Sequence, residues 1–401
     1  MTNLSKTQAD GITRRDGLIT LLGSAMALAG CGGGGGGSAG LSSGGTGSFS
    51  TGPISGFGSI IVGGIRFDDS RATIVDIDDD NRDLSGQLKL GMVVRVKGKP
   101  KKGDRADADS IEVRSELLGP IDINGINIGA NTLVVLGQTV QITATTFFDD
   151  GLTGLPALAV GQIVEVHGFV DPVNNRLTAT RIERKLPPVK AFKLQGLVKG
   201  LNTVARTFNI GTLTISFATS VNTPSSVVLA DGLLVRVRLA PTPGTGTRTA
   251  LKVHVVKAED DGDHDEAEVE GTITAFTSSS IFSVNGLPVD ASRAVVPAGL
   301  KLGDRVEVEG SLVNGVLVAR QVKLDDENDQ LKFELHGTIS SLLNTATAKT
   351  FVLRGVMIDF SGSVEFRNGT LIALANGVSV EVKGVASANG SIVKATRISF
   401  E

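Results

Sequence analysis

The chain has 401 residues, a formal net charge of −3, 51 glycines, 16 phenylalanines, and neither tryptophan nor tyrosine. A mildly acidic chain has no general attraction for nucleic acid or an anionic membrane face. Without Trp or Tyr it also lacks the usual aromatic platforms for stacking bases or sugars. A single cysteine, Cys31, excludes an intrachain disulfide and any cysteine-built metal site.

Residues 1–31 have the layout of an export signal. Arg14 and Arg15 precede an apolar run over 17–30. That run is about 14 residues long, short of the roughly 17–25 that a membrane-spanning helix needs. It ends in Leu28-Ala29-Gly30-Cys31, which resembles the bacterial lipobox, where the cysteine becomes the lipidated first residue. The stretch from Thr13 to Ile19 also resembles a twin-arginine motif. Gly32 follows the cysteine where an Asp would signal inner-membrane retention, which resembles delivery to the outer membrane of a Gram-negative envelope. The expectation is therefore a cell-envelope protein held on a membrane through Cys31, facing the periplasm or the exterior. More than one acyl chain would make that attachment stable. Residues 32–50 are rich in Gly and Ser and read as a flexible tether, with a reach of about 24 Å. The glycine run lacks a following Lys-Ser/Thr, so a phosphate cradle is not expected there.

After residue 50 the chain repeats. The pattern Leu-x-x-Gly-x-x-Val-x-Val-x-Gly occurs at 88–98, 158–168, 300–310 and 374–384, and 229–239 keeps all of it except the last glycine, which is Leu239. Within the first copy Val94 and Val96 alternate with Arg95 and Lys97, the period of a strand with one buried face. The turn glycines Gly91, Gly161, Gly232, Gly303 and Gly377 recur at steps of about 70 residues, the self-similarity of a repeat array. Downstream of each strand comes Ala-x-x-Ile/Val, starting at Ala108, Ala179, Ala250, Ala319 and Ala395. Upstream lies a predicted hairpin with a central glycine at Gly64, Gly137, Gly286 and Gly355, and at Gly211 one position early. The repeats divide the chain into modules at 51–116, 117–187, 190–259, 267–324 and 331–401, the third being the divergent one. Residues 259–266 and 325–330 read as acidic linkers, and Pro187-Pro188 as a stiff break. The fold class is all-β: five small barrels or sandwiches linked as beads, which fully extended would reach on the order of 140 Å.

The opening GPISGFGSIIVGGIRFD, the repeated strand and the closing Ala-x-x-Ile resemble a bacterial family known only as domain of unknown function 5666. The resemblance covers the chain after residue 50, and is poorest in the third module. It implies envelope proteins with small β modules in tandem, often behind a lipobox, and a module similar to an OB-type barrel. It brings no catalytic residues.

Candidate chemistry in the residues themselves is sparse. Asp76, Asp78 and Asp80 open like a calcium loop, but Asn81 and Gln87 stand where that loop needs Gly and Glu, so a solvated turn is the expectation. The carboxylates and His264 of 259–266, like those of 325–329, read as solvated linkers. His167, His254 and His336 fall at non-equivalent places, with His167 at an outward strand position, and read as structural. No HExxH, GxSxG or Walker pattern is present. The outward pairs of the repeated strand are Arg95/Lys97, Glu165/His167, Arg236/Arg238, Glu307/Glu309 and Glu381/Lys383. Their sign changes while the inward valines persist. That face reads as solvent-facing, or as module-to-module electrostatics. No catalytic, cofactor or metal residue is expected, and no nucleic-acid partner. The expected role is a lipid-anchored, non-catalytic spacer, scaffold or binding array, with an envelope protein or polysaccharide as partner. The alternative is an array that binds polysaccharide or a divalent cation, with the third module carrying an altered pocket.

Overall fold

A glycine between short apolar runs turns the chain back on itself, and five such hairpins each seed a barrel. In the computed structural model the described residues are 48–401, apart from 78–80, 102–104, 150, 172–173, 218–227, 243–245, 257–262, 325–331 and 387–391. Cys31, the export segment and nearly all of the tether lie outside them.

The first module contains β1 (Phe49–Phe57), β2 (Ile60–Val62), β3 (Ile65–Asp68), β4 (Thr73–Asp76), β5 (Arg82–Asp83), β6 (Val93–Pro100) and β7 (Arg105–Val113). β1, β2 and β3 pair antiparallel in turn, β3 runs parallel to β7, β7 pairs antiparallel with β6, and β6 closes on β1. That is the strand order 1-2-3-5-4-1 of a closed OB-like barrel. The second module repeats it with β8 (Leu117–Asn127), β9 (Thr132–Val135), β10 (Gln138–Phe148), β11 (Ile163–Asp171) and β12 (Arg176–Lys185). In the third module the first strand is split into β13 (Phe192–Leu197) and β14 (Lys199–Asn202), followed by β15 (Thr207–Ile210), β16 (Leu213–Ser216), β17 (Leu234–Leu239) and β18 (Arg248–Val255). The fourth uses β19 (His264–Ser278), β20 (Ile281–Val284), β21 (Leu287–Asp290), β22 (Arg305–Val313) and β23 (Val316–Leu324). The fifth uses β24 (Lys332–Asn344), β25 (Lys349–Leu353), β26 (Val356–Asp359), β27 (Glu365–Arg367), β28 (Ser379–Ala386) and β29 (Ile392–Phe400).

The repeated motif has a physical reason at each fixed position. The turn glycines take φ of 78° to 90°, a left-handed conformation that strains any residue with a Cβ. Each donates its backbone N–H to the first strand of its own barrel: Gly91 to Ile54 (2.9 Å), Gly161 to Ile121 (2.9 Å), Gly232 to Val198 (2.8 Å), Gly303 to Ile273 (3.0 Å) and Gly377 to Ile339 (2.9 Å). The closing glycines Gly98, Gly168, Gly310 and Gly384 sit where the two long strands shift register by a β-bulge. A Cβ there would run into the backbone carbonyl oxygens of Asp107, Thr178, Val318 and Lys394. The alanine of the second motif pairs with each of these glycines, so the two motifs are one feature seen from both strands.

The barrels are not strung as beads. β1 runs parallel to β19 over Phe49–Thr51 and parallel to β24 over Gly56–Phe57, which joins the first module to the fourth and the fifth. β13 pairs with β8, which joins the third to the second. Phe147 of the second module meets Phe333 of the fifth edge to face, with centroids 4.7 Å apart. The apolar cores follow these junctions. One cluster unites the first and fifth barrels with Phe147, one unites the second and third, and the fourth barrel's core takes in Phe49. Two boundaries read from composition also shift. The expected tether ends in strand, with Phe49 1% exposed, and the expected linker at 259–266 becomes β19 from His264. Phe49 pairs with Ala267, more than two hundred residues away, as well as with Lys97, and His264 pairs with Leu312, so local composition carries no trace of either pairing.

Candidate functional site

In the second and third barrels the outward face of the repeated strand meets a neighbouring barrel. Glu165 and His167, one step out from the core of the second barrel, are buried. Lys193 of β13 reaches over to them: its Nζ lies 3.5 Å from Glu165, 3.2 Å from Asp76 of the first barrel and 3.2 Å from the Ser115 hydroxyl. Lys185 Nζ stands 2.7 Å from both Glu165 and Glu183, and Arg181 Nε 2.5 Å from Glu183. Burial alone would raise the two carboxyls. The lysines overcome it and hold Glu165 well below the usual range, while Arg181 and Lys185 take Glu183 down to about 2. His167 donates from Nδ1 to the Arg114 carbonyl (2.9 Å), and burial lowers its pKa, keeping it neutral. Of the two readings for this face, solvent exposure fails here and module-to-module electrostatics holds. Period-2 alternation tells which way a side chain leaves its own barrel, not whether another barrel covers it.

Asp76, the first residue of the calcium-like stretch, is therefore spoken for. It is 4% exposed and held by Lys193 and by Arg82 at 3.5 Å. Asp78 and Asp80 lie outside the described residues, as do Glu259 and the carboxylates of 325–329. The four histidines stand at four different places. His264 Nδ1 lies 2.8 Å from the Ser48 hydroxyl, at the junction of the first and fourth barrels. His254 on β18 is half-buried on the outer face of the third barrel. His336 lies between Glu334 (Nε2, 2.9 Å) and Glu401 (Nδ1, 2.6 Å), and its hydrogen bond to Glu334 raises its pKa.

Glu334, His336 and Glu381 are the group among the described residues whose ligand atoms could converge on a metal ion. The donor set does not fit one. Glu334 already receives Arg66 at 2.5 Å and Lys383 at 2.9 Å, and a divalent ion would have to displace both. Despite partial burial, the hydrogen bonds from His336, Arg66 and Lys383 hold the Glu334 carboxyl well below the usual range. The group borders a cleft of about 460 Å3 between the first and fifth barrels, lined by Arg66, Lys101, Arg105, Arg354 and the acidic Asp68 and Glu401.

Glu268 at the junction of the first and fourth barrels has the opposite character. It is 3% exposed, faces Glu309 across the β19–β22 pair, and its Oε2 has no hydrogen-bond partner among the described residues. Burial, then Glu307, Glu309 and Glu270, push its pKa up to about 9. Sequence reasoning missed Lys193, Glu268 and Arg181, because each acts on a barrel other than its own or at a junction between barrels. It did find Glu165, His167 and Arg236 as outward positions, and these lie at junctions.

The family model described as "Domain of unknown function (DUF5666)" matches residues 51–112, 119–183, 270–323 and 336–399, more than half of the chain. Comparison with curated proteins finds no match. Among solved structures, "drosophila Unr CSD456" is 13% identical, with 53% of this chain and 98% of that chain covered and a TM-score of 0.14, too low to carry an argument. The four matched regions coincide with the first, second, fourth and fifth barrels, and the third barrel, of the same strand order, lies outside them. The chain belongs to the DUF5666 family, as a tandem array of OB-like barrels.

Proposed function

We propose that this protein is a non-catalytic, lipid-anchored component of the bacterial cell envelope, attached through Cys31, whose barrels form a scaffold or binding body. The observation that carries the non-catalytic part is where the strongly perturbed titratable groups lie. Glu165, Glu183, His167, Glu268 and Glu334 sit at barrel junctions; Glu165, His167 and Glu334 are engaged by Lys193, the Arg114 carbonyl and Arg66 from neighbouring barrels, and Glu183 by Arg181 and Lys185 of its own strand. Perturbed groups of this kind are active-site candidates when they line a cleft, and of these five only Glu334 belongs to a group that borders one, where Arg66 and Lys383 already hold it. The lateral packing of the barrels favours a scaffold or binding body over a spacer, since a spacer gains length from beads laid end to end.

The anchor rests on the lipobox-like run ending at Cys31 and on the Gly/Ser tether after it. Mass spectrometry of the protein purified from membranes tests it. The expected N-terminal peptide begins at Cys31 and carries acyl chains, and Cys31→Ser moves the protein to the soluble fraction. An unprocessed, acyl-free start would overturn the anchor.

A further inference from the structure

The third barrel departs from its siblings on one face. Its outward positions on three adjacent strands read Lys193 and Gln195 on β13, Arg236 and Arg238 on β17, and Lys252 and His254 on β18. The registers place Arg238 between Lys193 and Lys252, and Arg236 between Gln195 and His254. The result is a two-by-three grid carrying four fixed positive charges. The same outward pair is Glu165/His167 in the second barrel, Glu307/Glu309 in the fourth and Glu381/Lys383 in the fifth, and the basic pair of the first, Arg95/Lys97, is flanked by Phe49 and Thr51 on one side and Ser110 and Glu112 on the other. A grid with cations on all three strands is thus found in the barrel that the family model does not match.

That grid forms one wall of a cavity of about 160 Å3, closed from the other side by the segment linking the first and second barrels, which adds Arg114 and Glu116. Five cations and one carboxylate line it. Counting also Asp76, Glu112 and Glu165, which stand behind Lys193 and Arg114, cations still outnumber carboxylates. Two of the cations are held in place. Arg236 Nε donates to Gln195 at 2.6 Å and its Nη2 to the Glu116 carboxylate at 3.2 Å, while Lys193 is fixed by Asp76 and the Ser115 hydroxyl. Fixed guanidinium and ammonium groups around a low-dielectric pocket focus a positive field into it and need little ordering when an anion arrives. A cavity of this volume takes a group of about benzene's size.

We propose that this cavity is a binding site for a phosphate monoester: a compact oxyanion whose charge the grid matches and whose several oxygens accept charge-assisted hydrogen bonds from arginine and lysine N–H groups. The ester could be free in the envelope, borne by a sugar, or displayed by a lipid head group. The inference deepens the binding-body reading and does not depend on the anchor. If that reading fails at the anchor, the failure appears as an acyl-free chain. Failure of this inference appears as lack of phosphate uptake.

The test is titration calorimetry on the full-length mature protein with inorganic phosphate, glucose 1-phosphate and phosphatidic-acid vesicles, with galacturonate as the carboxylate control. Saturable binding of one phosphate probe per chain is expected, weakening as salt rises. The double variant Arg238→Gln/Lys252→Gln removes charge from the half-buried and exposed part of the grid, and should weaken binding at least about tenfold. Lys301→Gln, on an exposed turn of the fourth barrel, should leave it unchanged. Preference for the vesicles assigns a lipid head group, and preference for glucose 1-phosphate a sugar phosphate. The proposal is overturned if no phosphate probe binds, if galacturonate binds as tightly, or if the double variant, with an unaltered melting temperature, binds like the parent.

Discussion

Glu268 and Glu183 show how burial acts on the same side chain in opposite directions depending on its company. Glu183 has Arg181 and Lys185 against it and is held ionised, whereas Glu268 is surrounded by Glu270, Glu307 and Glu309, with Lys323 paired to the latter two. The sign for stability follows. A carboxyl raised to about 9 contributes stability that is complete below its ordinary value of 4.5 and is lost as pH rises toward 9. Carboxyls held low, such as Glu183 at about 2, contribute stability that is complete above 4.5 and is lost as pH falls toward 2. His167, with its pKa lowered, adds stability above its ordinary 6.5 that is lost on acidification. Glu268→Gln should therefore stabilise the protein above neutral pH by about 1–3 kcal/mol and flatten the alkaline limb of its stability profile. Urea denaturation followed from pH 5 to 9 checks this. An unchanged alkaline limb in the variant would mean that Glu268 is not the group responsible.

At the scale of strands, the close approach at the bulge is the feature most dependent on one atom. Gly168→Val would put a side chain where the Thr178 carbonyl already lies, and should cost about 1–3 kcal/mol, read as a lowered thermal midpoint. The third barrel keeps the same register shift with Leu239 in place of the glycine, fully buried. So the bulge tolerates a side chain where the facing carbonyl leaves room, and that barrel closes without a glycine on this strand. These elements were legible because their causes are local. A left-handed turn needs glycine, an inward valine needs a period of two, and both leave marks in the order of residues. The basic grid was half legible: Arg236 and Arg238 stood out as an outward pair, and Lys193 and Lys252 could have been found by asking what flanks them in the OB-like strand order. The ends of the first strands were not legible. Nothing near Phe49 announces a partner at Ala267, and the acidic run before it hides that β19 starts at His264.

At the scale of the molecule, the packing of barrels against one another replaces the extended chain of beads. Arg305 captures the change in one contact: from the fourth barrel it pairs with Glu270 at 2.5 Å and lies 4.3 Å over the ring of Phe169 in the second. A chain beginning at residue 48 should give a radius of gyration of about 20 Å in solution scattering. A string reaching on the order of 140 Å would give roughly 40 Å. A value near the larger figure would mean that the junctions open in water. The charges at these junctions could not be sorted from exposed ones in the sequence, because a strand's alternation has no term for a neighbour that arrives from another repeat.

The entry of the chain through β1 has a mechanical consequence. That strand is gripped along its length by β6 and β2 of its own barrel, by β19 and by β24. Tension arriving from residues before 48 would therefore load several rows of backbone hydrogen bonds lengthwise at once. Three barrels would share the pull, and no single one could be unpicked from its end.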